Sequence, residues 1–155
     1  MVDAERLPLT VVTAAVIRDR EGRVLLARRP AGKHMAGLWE CPGGKVKTRE
    51  SPRAALIREL REELGIEAFP HTTLTPVPHA YPWITIELIP FICSLENGEP
   101  HPHEHAEVRW LDRESAEELS WAPADVPVVR EYFSREANGK KAQHADDTKK
   151  TDLHG

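Results

Sequence analysis

Residues 44–66, GKVKTRESPRAALIRELREELGI, predict a loop, an amphipathic helix and a stop. Ser51 can cap this helix, Pro52 suits its first position, and Gly65 can end it in the left-handed conformation. Three carboxylates share one arc of the helix because they lie at spacings i, i+3 and i+4: Glu59, Glu62 and Glu63. A cation would relieve their mutual repulsion, and a set of oxygen ligands favours Mg²⁺ or Mn²⁺.

The same helix has an apolar side, at which Ile57, Leu60 and Leu64 are predicted to face the core. The acidic side is therefore left for a ligand or for solvent. A solvated, charge-rich face is the ordinary interpretation of a run of glutamates and arginines.

Gly44, Glu50 and Gly65 lie at fixed spacings from the three glutamates, and a solvated, charge-rich face would not require them. The stretch resembles the Nudix box, G-x5-E-x7-R-E-U-x-E-E-x-G-U, in which U is an aliphatic residue. All nine fixed positions are filled: Gly44, Glu50, Arg58, Glu59, Leu60, Glu62, Glu63, Gly65 and Ile66. The resemblance implies an α/β Nudix fold, an α/β/α sandwich around a mixed β-sheet, and cleavage of a phosphoanhydride.

Length, charge and cysteine content narrow the class of protein. The 155 residues suit one domain, predicted at 1–135, followed by a polar tail at 136–155 that is predicted to be disordered. Cys41 and Cys93 form no disulfide framework, which favours a reducing, cytoplasmic setting. No signal peptide or membrane span is predicted. A net charge of −4 argues against a nucleic-acid polymer as partner but allows a small nucleotide held through metal ions.

Patterns of alternation and turn residues predict the remaining elements. A hairpin is expected from strands at 9–17 and 24–27, and Pro90 is expected to introduce a bulge or kink into a strand at 83–93. Other predicted elements are strands at 38–41, 66–69 and 108–111, an extended segment at 72–80, a helix at 113–119 and a last helix carrying Val128, Val129, Tyr132 and Phe133.

The resemblance assigns metal-binding roles to particular residues. In Nudix enzymes the glutamates that match Glu59, Glu62 and Glu63 hold divalent ions, helped by a carbonyl of the glycine pair, here Gly43 or Gly44. A further acid from a later loop binds metal or acts as the base in the MutT-type branch, and Glu104 is the candidate here.

Supporting roles are implied for three neighbouring residues. Arg58 and Glu50 are expected to brace the loop against the helix, as an ion pair that could equally be purely structural. Lys45, beside the glycines, is a candidate contact for phosphate, with a solvated loop lysine as the alternative.

The loop around Glu104 also alternates histidines, at His101, His103 and His105. Zinc binding is an alternative for this loop, but no second ligand set occurs at a recognisable spacing. An exposed loop that is rich in histidine is the simpler interpretation.

Resemblance to the MutT-type branch extends over residues 11–133. The segments Arg28-Arg29, His34-Met35-Ala36 and Leu38-Trp39-Glu40 match that branch, and by position Arg29 and His34 are candidate substrate-binding residues. A solvent-facing loop is the alternative. In this branch water attacks the β-phosphorus, and the products are a nucleoside monophosphate and pyrophosphate.

Asp125 occupies the position at which members selective for 8-oxoguanine carry an asparagine that reads the base. An ionised carboxylate only accepts hydrogen bonds, which suits the cytosine N4 amine or the guanine N1–H and N2 pair. The surrounding A-P-A-D-V-P resembles the cytidine-nucleotide pyrophosphohydrolases of the branch. The alternative is that Asp125 only caps a helix.

These features together predict a Mg²⁺-dependent (Mn²⁺ as the second choice) nucleoside-triphosphate pyrophosphohydrolase that sanitises the nucleotide pool and so assists DNA repair. The expected substrates are 8-oxo-dGTP, or CTP, dCTP and modified cytosine nucleotides. Hydrolysis of a dinucleotide, a nucleotide sugar or ADP-ribose is the first alternative, and a non-catalytic nucleotide-sensing module is the second. The sequence leaves a monomer and a homodimer open.

Overall fold

The structure is a computed structural model and describes residues 9–139. Its strands are β1 Leu9–Arg18, β2 Val24–Arg28, β3 Trp39–Glu40, β4 Gly43–Lys45, β5 Glu67–Thr73, β6 Val77–Tyr81, β7 Ile84–Asn97 and β8 Glu107–Leu111. Its helices are α1 Pro52–Leu64, α2 Arg113–Glu117, the short 3₁₀ helix Pro123–Asp125 and α3 at residues 126–139.

The eight strands form one mixed sheet. β1 and β7 are parallel neighbours, paired from Leu9 opposite Thr85 to Arg18 opposite Ser94, and all other named strand pairs are antiparallel. The predicted mixed sheet and the predicted hairpin of β1 and β2 are confirmed.

Helices cover both faces of this sheet. Along β1, Ala14 and Val16 belong to the apolar cluster that α3 covers, whereas Ala15 and Ile17 belong to the cluster that α1 covers. Successive side chains of a strand point to opposite faces, so one strand supplies both cores. The α/β/α sandwich is thereby confirmed.

The predicted signals at the ends of α1 are confirmed. The hydroxyl of Ser51 accepts a hydrogen bond from the N–H of Ala54 at 3.1 Å, Pro52 is the first helical residue, and Gly65 has φ 68°. These contacts satisfy backbone groups that the helix leaves unpaired at its ends.

The core side of α1 differs by one residue from the prediction. Leu56, Leu60 and Leu64 are fully buried, whereas Ile57 is only half-buried. The three leucines lie at spacings i, i+4 and i+8, which keeps them on the row that packs against the sheet. The assignment of Ile57 to the core side was wrong because the buried row of the helix begins at Leu56, one residue earlier.

β7 continues through Pro90 without a break in its register against β1, so the predicted bulge or kink at this residue is wrong. On its other edge β7 pairs first with β6, up to Leu88, and then with β5, from Phe91. The carbonyl of Pro90 accepts from the N–H of Leu74 at 3.0 Å, so the proline nitrogen faces the gap between the two neighbours. A missing N–H is harmless there.

Several element bounds differ from the predicted ones. β5 continues to Thr73, and α3 reaches residue 139, which makes residues 136–139 of the predicted tail helical. The rest of that tail lies outside the described residues, and the division at 135 stays a prediction. No helix among residues 9–139 has the length and apolar character that a membrane span requires. Both cysteine thiols are free and buried.

Candidate active site

One cavity of about 610 Å³ brings together the metal-binding and substrate-binding residues that the sequence predicted, together with Arg58. Its lining includes Arg29, His34, Gly43, Gly44, Lys45, Arg58, Glu59, Glu62, Glu63, Glu104 and Asp125. These residues come from the loop after β2, from β4, from α1, from the loop before β8 and from the 3₁₀ helix. The fold therefore converges five separate segments on one volume of a size typical for a small-molecule site.

Arg58 links the loop before α1 to the acidic arc. Its guanidinium donates two hydrogen bonds to the Glu50 carboxylate, at 2.8 and 3.0 Å, and one to the carbonyl of Lys45 at 3.0 Å. It also donates to Glu59 at 2.9 Å and to Glu62 at 3.2 Å. Hydrogen bonds from Arg58 lower the pKa of Glu50 to about 2. The contact pattern matches the bracing expected of this pair.

The two glycines of β4 allow close approaches of different kinds. A Cβ atom on Gly43 would lie 2.1 Å from the backbone oxygen of Thr13, so this position must remain free for strand pairing with β1. A Cβ atom on Gly44 would lie 2.3 Å from Cδ of Glu59. The hydroxyl of Thr13 donates to the carbonyl of Gly44 at 3.1 Å and fixes its orientation.

The carboxyl group of Glu63 is strongly perturbed by its surroundings. Burial, followed by the negative charge of Glu59, raises the pKa of Glu63 to about 9, with smaller contributions from Glu104 and Glu40. Its Oε2 atom is buried and finds no hydrogen-bond partner within the described residues. A buried carboxyl oxygen without a partner costs free energy, and a bound cation would remove that cost.

The loop that carries Glu104 is held against the carboxyl end of α1. The N–H of His101 donates to the carbonyl of Leu64 at 3.0 Å, and the N–H of His103 donates to the carbonyl of Glu63 at 3.1 Å. Glu104 itself is exposed and lines the cavity. Backbone bonds from its neighbours thus bring a fourth carboxylate to the arc.

These oxygen donors fit a hard divalent cation, because carboxylates with a backbone carbonyl are the ligands that Mg²⁺ and Mn²⁺ prefer. Within residues 9–139, no three acidic, histidine or cysteine side chains are already arranged as a closed metal site. This finding holds for the glutamates of the arc as well as for the histidines of the 101–105 loop.

Glu40 joins two parts of the site that the sequence did not connect. Its carboxylate accepts from Arg29 at 3.0 Å and lies 3.2 Å from Nε2 of His105, whose side chain is only 7% exposed. Arg29 also donates to the carbonyl of His34 at 2.7 Å. Sequence reasoning missed Glu40 and His105 as members of the site, although their positions beside the glycine pair and Glu104 were an available signal.

An aromatic group stands beside these charges and was also missed. The ring of His34 stacks on the indole of Trp83 with centroids 4.0 Å apart and planes 6° apart. Tyr81 stacks on Trp83 at 5.1 Å, with an interplanar angle of 12°. Trp83 was interpreted only as the start of a strand and Tyr81 was assigned to no element, although these two aromatic residues were a signal that could have been used.

The structure overturns the interpretation of Asp125 as only a helix cap. Asp125 ends the 3₁₀ helix, is 6% exposed, and accepts a hydrogen bond from the backbone N–H of Cys41 at 3.0 Å. The N–H of Ala122 donates to the carbonyl of Trp39 at 2.9 Å, which holds this segment beside β3.

Burial also makes Asp125 a weaker acid than the sequence-based interpretation assumed. Burial, reinforced by the negative charge of Glu40, raises the pKa of Asp125 well above its usual range. A protonated carboxyl both donates and accepts, so the side chain is not restricted to the acceptor role that an ionised carboxylate has.

Comparison with known proteins gives the same family for most of the chain. A model of the NUDIX domain matches residues 8–132. A CTP pyrophosphohydrolase of Escherichia coli is 41% identical over 126 residues, which cover 81% of this chain and 93% of the relative. An 8-oxo-dGTP diphosphatase of Proteus vulgaris is 44% identical over 99 residues, covering 64% of this chain and 86% of the relative.

Solved structures agree with the sequence relatives. The crystal structure of the MutT protein from Methanosarcina mazei superposes with a TM-score of 0.74 at 29% identity, covering 86% of this chain and 99% of that one. The filled box, the shared fold and the matched domain lead to one conclusion: this chain belongs to the Nudix hydrolase family.

Proposed function

We propose that this protein is a Mg²⁺-dependent MutT-type pyrophosphohydrolase of ribo- or deoxyribonucleoside triphosphates, which releases a nucleoside monophosphate and pyrophosphate. Members of the Nudix family generally use divalent metal ions. The observation that carries the proposal is the buried oxygen of Glu63, which has no hydrogen-bond partner among residues 9–139 and lies in an arc of carboxylates that shares a cavity with Asp125.

The acidic arc would hold the metal. Glu59, Glu62 and Glu63 are the ligands, with Glu104 and a carbonyl of Gly43 or Gly44 as further oxygen donors. A bound divalent ion supplies neutralisation of phosphate charge and a more acidic water molecule.

The chain's own residues would bind and orient the substrate. Arg58 keeps Glu59 and Glu62 in position through the hydrogen bonds described above. Lys45 contacts a phosphate oxygen from the exposed side of the glycine loop, and Glu104 is the candidate base for the attacking water. Arg29 lies toward the nucleoside, and His34 lines the same part of the cavity.

Asp125 is the proposed reader of the base. Two similar proteins are named for CTP and for 8-oxo-dGTP, so these two nucleotides, with dCTP and modified cytosine nucleotides, are the proposed substrates. The raised pKa of Asp125 is compatible with both kinds of substrate, since the ionised carboxylate accepts hydrogen bonds and the protonated carboxyl also donates, as an amide does. Removal of such nucleotides would sanitise the cytoplasmic pool and assist DNA repair.

A substrate panel with product identification tests the proposal. The full chain is incubated with Mg²⁺ and CTP, dCTP, 8-oxo-dGTP, dGTP, a dinucleotide, a nucleotide sugar or ADP-ribose, and products are separated by ion exchange. We expect pyrophosphate and a monophosphate from at least one triphosphate. Glu63→Gln should lower that rate by about a hundredfold or more, because it removes a metal ligand.

The matched control is Glu117→Gln on α2, a carboxylate that pairs with Arg113 outside the cavity. Its rate should equal that of the wild type. Absence of pyrophosphate with every triphosphate would refute the proposal. Activity on ADP-ribose alone would establish the alternative diphosphate hydrolase, and binding without turnover would establish the sensing module.

A further inference from the structure

Trp83 is a large aromatic residue left partly open to solvent at the cavity. Its residue surface is 39% exposed, and it lies in the turn between β6 and β7. Two other large apolar residues of the described part are exposed, Leu9 and Phe69, but neither lines the cavity. An exposed indole placed at a binding cavity calls for a ligand with an apolar face.

One face of this indole is already covered by a ring in the geometry of a stacked ligand. The imidazole of His34 lies 4.0 Å from it, at an interplanar angle of 6°. His34 stands on the exposed loop between β2 and β3, next to Met35, which has φ 57°. A left-handed conformation is unfavourable for methionine, so the stacked form of the loop is held at a cost.

The other neighbour of Trp83 connects it to the proposed base reader. The ring of Tyr81 lies 5.1 Å from the indole, and the Tyr81 hydroxyl accepts a hydrogen bond from the N–H of Ala124 at 3.0 Å. Ala124 precedes Asp125, which lines the same cavity. One stacking contact, one hydrogen bond and one peptide bond therefore connect the indole of Trp83 to the carboxyl proposed to read the base.

We propose that the indole face of Trp83 now covered by His34 is the stacking surface for the substrate's nucleobase, and that the base displaces the His34 ring when it binds. This inference rests on the proposed function only in taking the ligand to be a nucleotide. A pyrimidine or purine is larger than an imidazole and buries more of the indole, which favours the exchange.

Direct binding tests the inference without any turnover. The full chain is titrated calorimetrically with CMP, with 8-oxo-dGMP and with ribose 5-phosphate, which lacks a base. Trp83→Ala should weaken binding of the preferred monophosphate by about tenfold or more, since base stacking on an aromatic ring contributes this much. Binding of ribose 5-phosphate should be the same as in the wild type. Trp83→Phe should restore most of the lost affinity.

His34→Ala distinguishes two arrangements: one in which the base displaces the imidazole from Trp83, and one in which the base and the imidazole both remain stacked. If the base displaces the imidazole, removing that ring tightens binding of the preferred monophosphate, by about twofold or more for a stack of this kind. Equal or weaker binding by His34→Ala overturns the displacement. The matched control is Phe69→Ala, which removes an exposed aromatic ring from β5 outside the cavity and should leave every affinity unchanged.

Unchanged monophosphate binding by Trp83→Ala would overturn the stacking surface, as would wild-type protein that binds neither monophosphate more tightly than ribose 5-phosphate. Melting temperatures of all variants identify any loss of folding, and Trp83→Phe keeps the test valid if the alanine variant is unstable. If wild-type protein hydrolyses no triphosphate yet Trp83→Ala loses monophosphate binding, the proposed function fails and the stacking surface stands.

Discussion

A Cβ atom on Gly44 would lie 2.3 Å from Cδ and 2.6 Å from Oε2 of Glu59. The glycine thus leaves room for a carboxylate of the proposed metal site rather than for a backbone turn. The neighbouring Gly43 leaves room for backbone instead, because its Cβ would meet the carbonyl of Thr13. Two adjacent glycines therefore serve the site and the sheet separately.

Gly44→Ala should keep the fold but displace Glu59, a flexible side chain that can move aside. We expect kcat/KM for the best triphosphate to fall by about tenfold or more, since a displaced ligand loses metal affinity. The melting temperature should change little. Steady-state kinetics over a range of Mg²⁺ concentrations and a thermal melt check both statements, and full activity at low Mg²⁺ would contradict them.

Gly43→Ala should instead destabilise the protein, because the methyl group meets backbone that cannot rotate away. Overpacking of this kind costs about 2 kcal/mol or more. Chemical unfolding of the two alanine variants side by side measures the contrast. Equal stability of Gly43→Ala and Gly44→Ala would contradict it.

Arg58→Lys should uncouple the loop from the acidic arc. Lysine keeps the charge but cannot make the paired hydrogen bonds to Glu50 together with those to Glu59 and the Lys45 carbonyl. We expect kcat/KM to fall by about tenfold to a hundredfold, as for other groups that orient metal ligands. Arg61→Lys is the control, since Arg61 pairs with Glu67 outside the cavity. Equal kinetics of the two lysine variants would show that Arg58 orients nothing.

The stability of the metal-free protein should fall as pH rises. Burial raises the pKa of Glu63 to about 9 and raises that of Asp125 well above its usual range, so the folded state keeps protons that the unfolded chain releases. Stability then declines from about pH 4.5, where unfolded glutamate ionises, up to about pH 9. Glu63→Gln and Asp125→Asn should each flatten this decline in melting temperature, while Glu117→Gln should not. A wild-type melting temperature that is flat or rising over this range would be inconsistent with the buried acids.

Asp125→Asn should change which base is preferred. The amide oxygen can still accept from the N–H of Cys41, so the segment should stay in place. At a pH above the pKa of Asp125, we expect the ratio of kcat/KM for 8-oxo-dGTP over CTP to rise by about tenfold or more, because the amide still donates where the carboxylate only accepts. An unchanged ratio would mean that Asp125 does not read the base.

Much of the fold could be predicted because its signals are local. The Ser51 cap, the Pro52 start and the Gly65 stop each act within one turn of α1. Helix geometry then places Glu59, Glu62 and Glu63 on one arc of the helix. Such features need no knowledge of the rest of the chain.

What escaped prediction depends on contacts between distant segments. The alternative that Asp125 only caps a helix arose because a sequence shows the next helix and hides Cys41, which is 84 positions away. The stack of His34 on Trp83 and the bridge from Glu40 to His105 likewise join separate loops. A bulge or kink was predicted at Pro90 because the effect of its missing N–H can be judged only when the neighbours of β7 are known.

The gap at Pro90 also separates two neighbours of β7 that belong to different parts of the site. On one side of it, β5 completes the sheet beside α1 and its carboxylates; on the other, the β6 hairpin carries Tyr81 and Trp83. No ladder hydrogen bond from the proline nitrogen ties the two together. Replacing β6 and its turn would therefore leave the pairing of β5 with β7 in place, and would change the residues that face the nucleotide while the carboxylates of α1 stay where they are.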